Sequence, residues 1–184
     1  AGERCRVVLV SLGQRGGGVL YGYYAAKVLA RKCALMAVIS RHCCNRREWF
    51  ALPLESLVEV DAPRTATEAL FRLLNVREFL QVRSLIARFG PDVLYVPMRS
   101  PLSPVLCGLV RGVPRVITEH DPVLHPGDRS FVKKVLQRIA LLQATRIVVL
   151  SKEFVSVVAG RGFPAARVDV IPHGLFDCYN QRRE

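Results

Sequence analysis

Val7-Val8-Leu9-Val10-Ser11-Leu12 runs straight into Gly13 and then Gly16-Gly17-Gly18, and this stretch decides the fold. An unbroken run of aliphatic and β-branched residues reads as a strand buried on both faces. A glycine-rich turn followed by a helical pattern over 18–32 makes it a strand–loop–helix unit. The amides of such a loop point at whatever sits above the helix N-terminus, a place suited to an anion or a sugar. A matching unit closes the chain. Arg146-Ile147-Val148-Val149-Leu150-Ser151 leads into a helix, then into Val168-Asp169-Val170-Ile171 and a Pro172-His173-Gly174 turn.

The same alternation fills the middle. Short apolar runs predict strands at 5–12, 35–40, 57–60, 93–97, 115–119, 146–150 and 168–171. Helical patterns fall at about 18–32, 67–89, 102–111, 129–143 and 152–161. Strands alternating with helices predict a Rossmann-like, doubly wound parallel α/β sheet of about seven strands, with helices on both faces. Residues 41–56, with Arg41, Arg46, Arg47 and Trp49-Phe50, read as an irregular loop. In 69–89, Leu70, Leu73, Leu74, Leu80 and Phe89 interleave with Arg72, Arg77, Arg83 and Arg88. Phe131, Val135, Ile139 and Leu142 keep helical spacing among Lys133, Lys134 and Arg138, with Ser130 as N-cap. Each segment reads as a covering helix with solvated cations or as a basic helix lying on an anionic membrane.

Size and composition bound the rest. A chain of 184 residues is one domain, and a hydrophobic content of 51% is enough for a core on both faces of a sheet. Lys and Arg number 27 against 15 Asp and Glu, a formal +12 that favours anionic partners or a solvated basic surface. Cys5, Cys33, Cys43, Cys44, Cys107 and Cys178 form no CxxC pair or zinc-ligand spacing, so no metal is expected. They read as reduced, mostly buried thiols, which places the chain in the cytoplasm. No signal peptide or apolar run of about 18 residues is found, so membrane association would be peripheral.

The glycine loop lacks the Lys-Ser/Thr of a Walker A motif and the third glycine of GxGxxG. The end of the second strand holds Ser40-Arg41 where a nicotinamide domain wants an acid for the ribose. Arg41 would accommodate a 2′-phosphate, which leaves an NADP site open at this point, with two departures against it. In open α/β sheets ligands sit beyond the carboxyl ends of the strands. Those ends carry Gln14 and Arg15, Met98, Arg99 and Ser100, Glu119, His120 and Asp121, Ser151 and Lys152, and His173-Gly174. Glu119-His120-Asp121 is the densest cluster, and a His between carboxylates suits a base or a hydrogen-bond partner of a sugar hydroxyl. It suits equally a loop-bracing turn before Pro122. No nucleophile elbow surrounds Ser151, and no glycosidase-like carboxylate pair stands out.

Taken in order, these segments resemble the N-terminal domain of the GT-B glycosyltransferases of family 4, retaining enzymes that use nucleotide-activated sugars. The resemblance rests on the opening strand with Gly16-Gly17-Gly18, on Arg88-Phe89-Gly90-Pro91-Asp92-Val93-Leu94-Tyr95-Val96 and on Val116-Ile117-Thr118-Glu119-His120-Asp121. It continues in Arg146-Ile147-Val148-Val149-Leu150-Ser151-Lys152 and in Val168-Asp169-Val170-Ile171-Pro172-His173-Gly174-Leu175-Phe176-Asp177. It implies that His120 lies near the reacting sugar and acts in catalysis. It implies that Gly16, Gly17 and Gly18 approach the donor phosphates and the acceptor; the strand-end reading adds Arg99, Asp121, Ser151, His173 and Gly174 as further substrate contacts. Tyr95-Val96-Pro97-Met98 departs from the pattern, lacking the His often found after the fourth strand.

The resemblance further implies an acceptor-side domain over 1–174, with 175–184 beginning an interdomain linker or tail. The donor nucleotide-sugar would be held mainly by a second Rossmann domain beyond this sequence, without which transfer would be slight. The acceptor is a sugar, with lipid-linked and phosphorylated forms among the candidates, and no cofactor is expected. The competing class is a non-catalytic binding or scaffold module that recruits a catalytic subunit or sits on an anionic membrane. A nucleic-acid-binding domain is the weakest reading, because the few aromatic residues do not interleave with Arg as stacking platforms do.

Overall fold

The computed structural model describes residues 4–63, 68, 75–123 and 131–174, the side chains of 131–133 excepted. The strands are β1 (Arg6–Ser11), β2 (Ala34–Ser40), β3 (Ser56–Val60), β4 (Val93–Val96), β5 (Arg115–Glu119), β6 (Arg146–Val149) and β7 (Val168–Val170). Among the described residues the α-helical elements are α1 (Gly17–Leu29), α2 (Arg46–Trp49), α3 (Val76–Phe89), α4 (Ser103–Leu109), α5 (Phe131–Gln143) and α6 (Glu153–Ala159). Every strand lies within a residue of its expected bounds at either end.

All strands pair in parallel, in the order β3-β2-β1-β4-β5-β6-β7. The chain winds outward from β1 to β3, then returns to β4 on the other side of β1 and winds outward again. Right-handed crossovers then divide the helices between the faces. Val7, Leu9, Leu35, Ala37 and Ile39 pack under α1 and α2, with Val19, Ala26 and Trp49. Val8, Val10, Met36, Val38, Leu94, Val96 and Ile117 face the other way, onto α3, α4 and α5, and Ile147 and Val149 pack on α6. β2 is buried at all seven positions, so its Ala-Leu-Met-Ala-Val-Ile run is apolar on both sides. The strand order reverses between β1 and β4, and the loops after those strands open a crevice there.

The helical layer departs from the sequence reading in three places. The stretch 67–89 is not one continuous pattern. α3 begins at Val76, and Asn75 accepts from the Glu78 backbone N–H at 3.4 Å as its N-cap. Its buried stripe is Phe79, Val82, Ile86 and Phe89, while Leu80 faces outward; Leu70, Arg72, Leu73 and Leu74 lie outside the described residues. On α5, Gln137 and Ala140 are buried, whereas Val135 and Leu142 of the expected stripe are exposed. Ser130 falls outside the described residues. The 41–56 segment contains α2, and Trp49 is completely buried, its indole N–H donating to Asn45 Oδ1 at 3.2 Å. Of the thiols, Cys43 and Cys107 are buried but Cys5 and Cys44 are exposed, against the expectation of mostly buried cysteines. Cys178 and 175–184 lie outside the described residues.

Candidate functional site

The site is built on the reversal point. Gly16 caps α1 with φ +86°, a left-handed conformation that suits glycine, and its carbonyl accepts from Val19 N–H at 3.2 Å. Gly17 has nothing within 4 Å of where a Cβ would stand. At Gly18 a Cβ would lie 2.3 Å from Met98 Cε and 2.7 Å from Met98 Cγ. The three glycines therefore differ: Gly16 makes the turn, Gly18 lets α1 close on the loop after β4, and Gly17 leaves the backbone bare. Gly17→Val should leave the melting temperature almost unchanged, whereas Gly18→Val should lower it, by about 1–3 kcal/mol in unfolding free energy. Thermal denaturation of both variants checks this, and equal losses would refute the division.

His120 follows β5, and its Nε2 lies 3.0 Å from the Pro97 carbonyl oxygen. A carbonyl only accepts, so Nε2 carries the proton and the neutral ring keeps Nδ1 as its acceptor. Tyr21, one turn into α1, meets the His120 ring edge-on at 4.5 Å between centroids and the His173 ring at 5.1 Å. The two imidazoles are 6.0 Å apart. Burial lowers the His120 pKa below its ordinary 6.5, and His173 adds to the lowering against the Pro97 hydrogen bond. The folded state therefore binds fewer protons than the unfolded chain as pH falls through 6.5. The stability held above that value is lost as pH drops to the lowered one. Melting temperatures between about pH 8 and about pH 5 should fall more steeply for the parent than for His120→Gln. Parallel profiles would show that His120 is not the group responsible.

Beneath His120 lies a buried polar network. Glu119 is 2% exposed and pairs with Arg99. Gln137 Nε2 donates to Glu119 Oε1 at 3.5 Å and to the Asp121 carbonyl at 3.3 Å. Arg161 donates to Gln137 Oε1 at 3.2 Å and to the Pro122 carbonyl. Burial pushes the Glu119 carboxyl up, against the pull of Arg99 and Arg161. The network fixes the segment that carries His120, so Glu119 serves structure and His120 and Asp121 are left facing the rim.

The loop Arg99-Ser100-Pro101 separates two cavities. One, of about 420 Å³, is bounded by Leu12, Gly13, Gln14, Arg15 and Pro63. The other, of about 350 Å³, lies between α4 and α5, with Met98, Cys107, Ile117, Leu136 and Ala140 on its walls and His120 and Asp121 at its mouth. The expected residues Gly18, Arg99, His120, Asp121 and His173 thus gather around the reversal point. Gly174 lines a further groove of about 790 Å³ with Tyr21, Tyr24 and Val28 of α1 and Tyr95, Val116 and Val148 of the sheet. Ser151 lies in the turn before α6, its carbonyl accepting from Phe154 N–H at 3.2 Å. Ser40 is buried and Arg41 is paired with Glu78, so neither end of that pair is presented as a ribose or phosphate contact. Tyr21, Gln137 and Arg161 escape a sequence reading. Only Tyr21 leaves a signal there, falling one helical turn after the glycine loop on the face that looks at the crevice.

Among the described residues no group of His, Cys, Asp and Glu is arranged to hold a metal ion, and no helix is long and apolar enough to cross a membrane. Sheet order, glycine loop and rim define the N-terminal domain of a GT-B architecture. The chain belongs to Glycosyltransferase Family 4, whose family model matches residues 15–175. Its fold is similar to that of Anabaena Alr3699/HepE, solved in complex with UDP-glucose (TM-score 0.67, 16% identity, 92% of this chain and 44% of that one). It is similar to UDP-N-acetylglucosamine 2-epimerase from Rickettsia bellii (0.66, 12%, 91% and 44%) and to UDP-GlcNAc 2-epimerase from Neisseria meningitidis bound to UDP-GlcNAc (0.64, 10%, 90% and 45%). The chain spans less than half the length of these structures. No curated protein matches the sequence.

Proposed function

We propose that this chain is the acceptor-binding half of a glycosyltransferase that moves a sugar from a nucleotide-sugar donor to an acceptor. The observation that carries the proposal is His120 at the mouth of the α4–α5 cavity, its Nε2–H held by the Pro97 carbonyl at 3.0 Å. That bond orients the ring and leaves Nδ1 to accept from a sugar hydroxyl, a contact that strengthens as charge develops on the reacting sugar. The bare backbone at Gly16 and Gly17 admits donor phosphates or acceptor oxygens close to the α1 N-terminus. Arg99, Asp121 and His173 border the acceptor space, with Ser151 and Gly174 toward its outer edge.

The donor is bound mainly by a second Rossmann domain, which completes the cleft above the rim. Structural neighbours bound to UDP-sugars support this reading, as does the share of their length that this chain spans. The test measures sugar transfer from a panel of nucleotide-sugars by this chain alone and by the polypeptide or complex that includes a second domain. Transfer restored by the second domain, and abolished there by Gly17→Val with folding intact, is the expected result. Activity indifferent to Gly17→Val would refute the role given to the loop.

A further inference from the structure

The outer surface of α3 and α5 has a composition that a solvated covering layer does not need. On α3, Val76 and Leu80 are 56% and 51% exposed, and on α5, Val135 and Leu142 are 38% and 76% exposed. Each helix already buries a separate stripe against the sheet, so these residues are additional to the core. They stand among Arg77, Arg83, Arg88, Lys134 and Arg138, all exposed and none in an ion pair among the described residues. On the α3 wheel, Val76, Leu80 and Ala87 form one strip with Arg83 on one flank and Arg77 and Arg88 on the other. The acid of α3, Glu78, is turned to the sheet rim, where it accepts from Asp61 N–H at 3.0 Å and meets Arg41. α4 bears no charge, and α5 bears no acid.

We propose that the α3–α4–α5 layer docks on the surface of an anionic phospholipid bilayer. The charge is complementary: cations in no ion pair among the described residues attract acidic headgroups, each adding on the order of tenfold or less to the partition constant. The apolar strip between them enters the headgroup boundary, as in interfacial amphipathic helices. The cavity between α4 and α5 lies in this same layer and reaches His120. Docking here brings the site beside the membrane without burying the crevice at the strand ends. The proposal concerns a surface and holds whatever the site does, so it stands or falls separately from the transfer reaction.

Vesicle co-sedimentation tests it, with pure phosphatidylcholine and with about one-third phosphatidylglycerol added. The expected result is binding to the anionic vesicles alone, falling steeply as salt rises from about 0.05 M to about 0.5 M and the Debye length shrinks. Arg77, Arg83 and Arg88 replaced together by Gln should weaken that binding roughly 100-fold. Leu80→Asp should weaken it as well, because that side chain supports no core. Replacing Arg31, Lys32 and Arg47 by Gln removes the same charge from outside the layer and should weaken binding much less. No binding to either vesicle, equal binding to both, or an equal loss in the two triple variants would overturn the proposal. Circular dichroism of each variant confirms that folding is unchanged before binding is compared.

Discussion

Arg99→Met should destabilise the fold by about 3 kcal/mol, the low end of the range for stripping one partner from a buried ion pair. The substitution keeps volume and removes the guanidinium that faces Glu119. Glu119 is almost wholly buried, and burial already pushes its carboxyl up. Gln137 and Arg161 remain nearby and soften the loss, which is why the low end applies. Two further results separate this cause from a simple packing defect. Adding Glu119→Gln to Arg99→Met should recover most of the stability, because no charge is then left unpaired. The deficit of Arg99→Met alone should also shrink as pH falls. A carboxyl raised in the fold binds protons more readily there than in the unfolded chain, so acid favours the folded state. Urea unfolding at several pH values measures all three. A pH-independent deficit without rescue would mean that Arg99 acts through packing.

His120→Ala should lower turnover roughly 100-fold in the enzyme that includes the donor-binding domain, with little change in KM for the acceptor. The Pro97 bond and the Tyr21 ring hold the imidazole in one orientation, so an exposed alternative is not ready to replace it. A group that touches the reacting sugar is felt in turnover, whereas a loop brace is felt in melting temperature. Near-normal turnover with a lower melting temperature would assign His120 to the brace. Tyr21→Leu provides a finer comparison. It keeps apolar bulk against His120 and should cost less than His120→Ala, because Tyr21 orients the ring by edge contact only.

The sheet was legible because burial on both faces leaves nearly continuous apolar runs, and β2 is the clearest case. The glycine loop and the polar strand ends were legible for a related reason: in a parallel sheet all carboxyl ends share one rim, so strand ends predict neighbours. Helical faces were harder to read. α3 and α5 carry more apolar residues than the sheet covers, so periodicity alone could not say which stripe turns inward. Leu80, Val135 and Leu142 keep helical spacing with core residues and yet stand outside the core. Trp49 was set in a loop, because a four-residue helix is too short to show a period and its burial depends on Tyr23 of α1. The Glu119 network draws on residues far apart in sequence, and nothing local to Gln137 or Arg161 announces it.

The central place of β1 has a consequence for how the protein is made. β2 emerges one helix after β1 and covers one of its edges, pairing Val7 with Leu35. The other edge waits for β4, where Val7 meets Val93. Throughout that interval of translation a nascent chain carries an apolar strand with one row of backbone donors and acceptors open, a template for other nascent chains. Parallel pairings of such long separation also form slowly. Yield in a cell should therefore depend on holdase chaperones at the ribosome more than on the stability of the finished fold, and slower translation before residue 93 should increase aggregation.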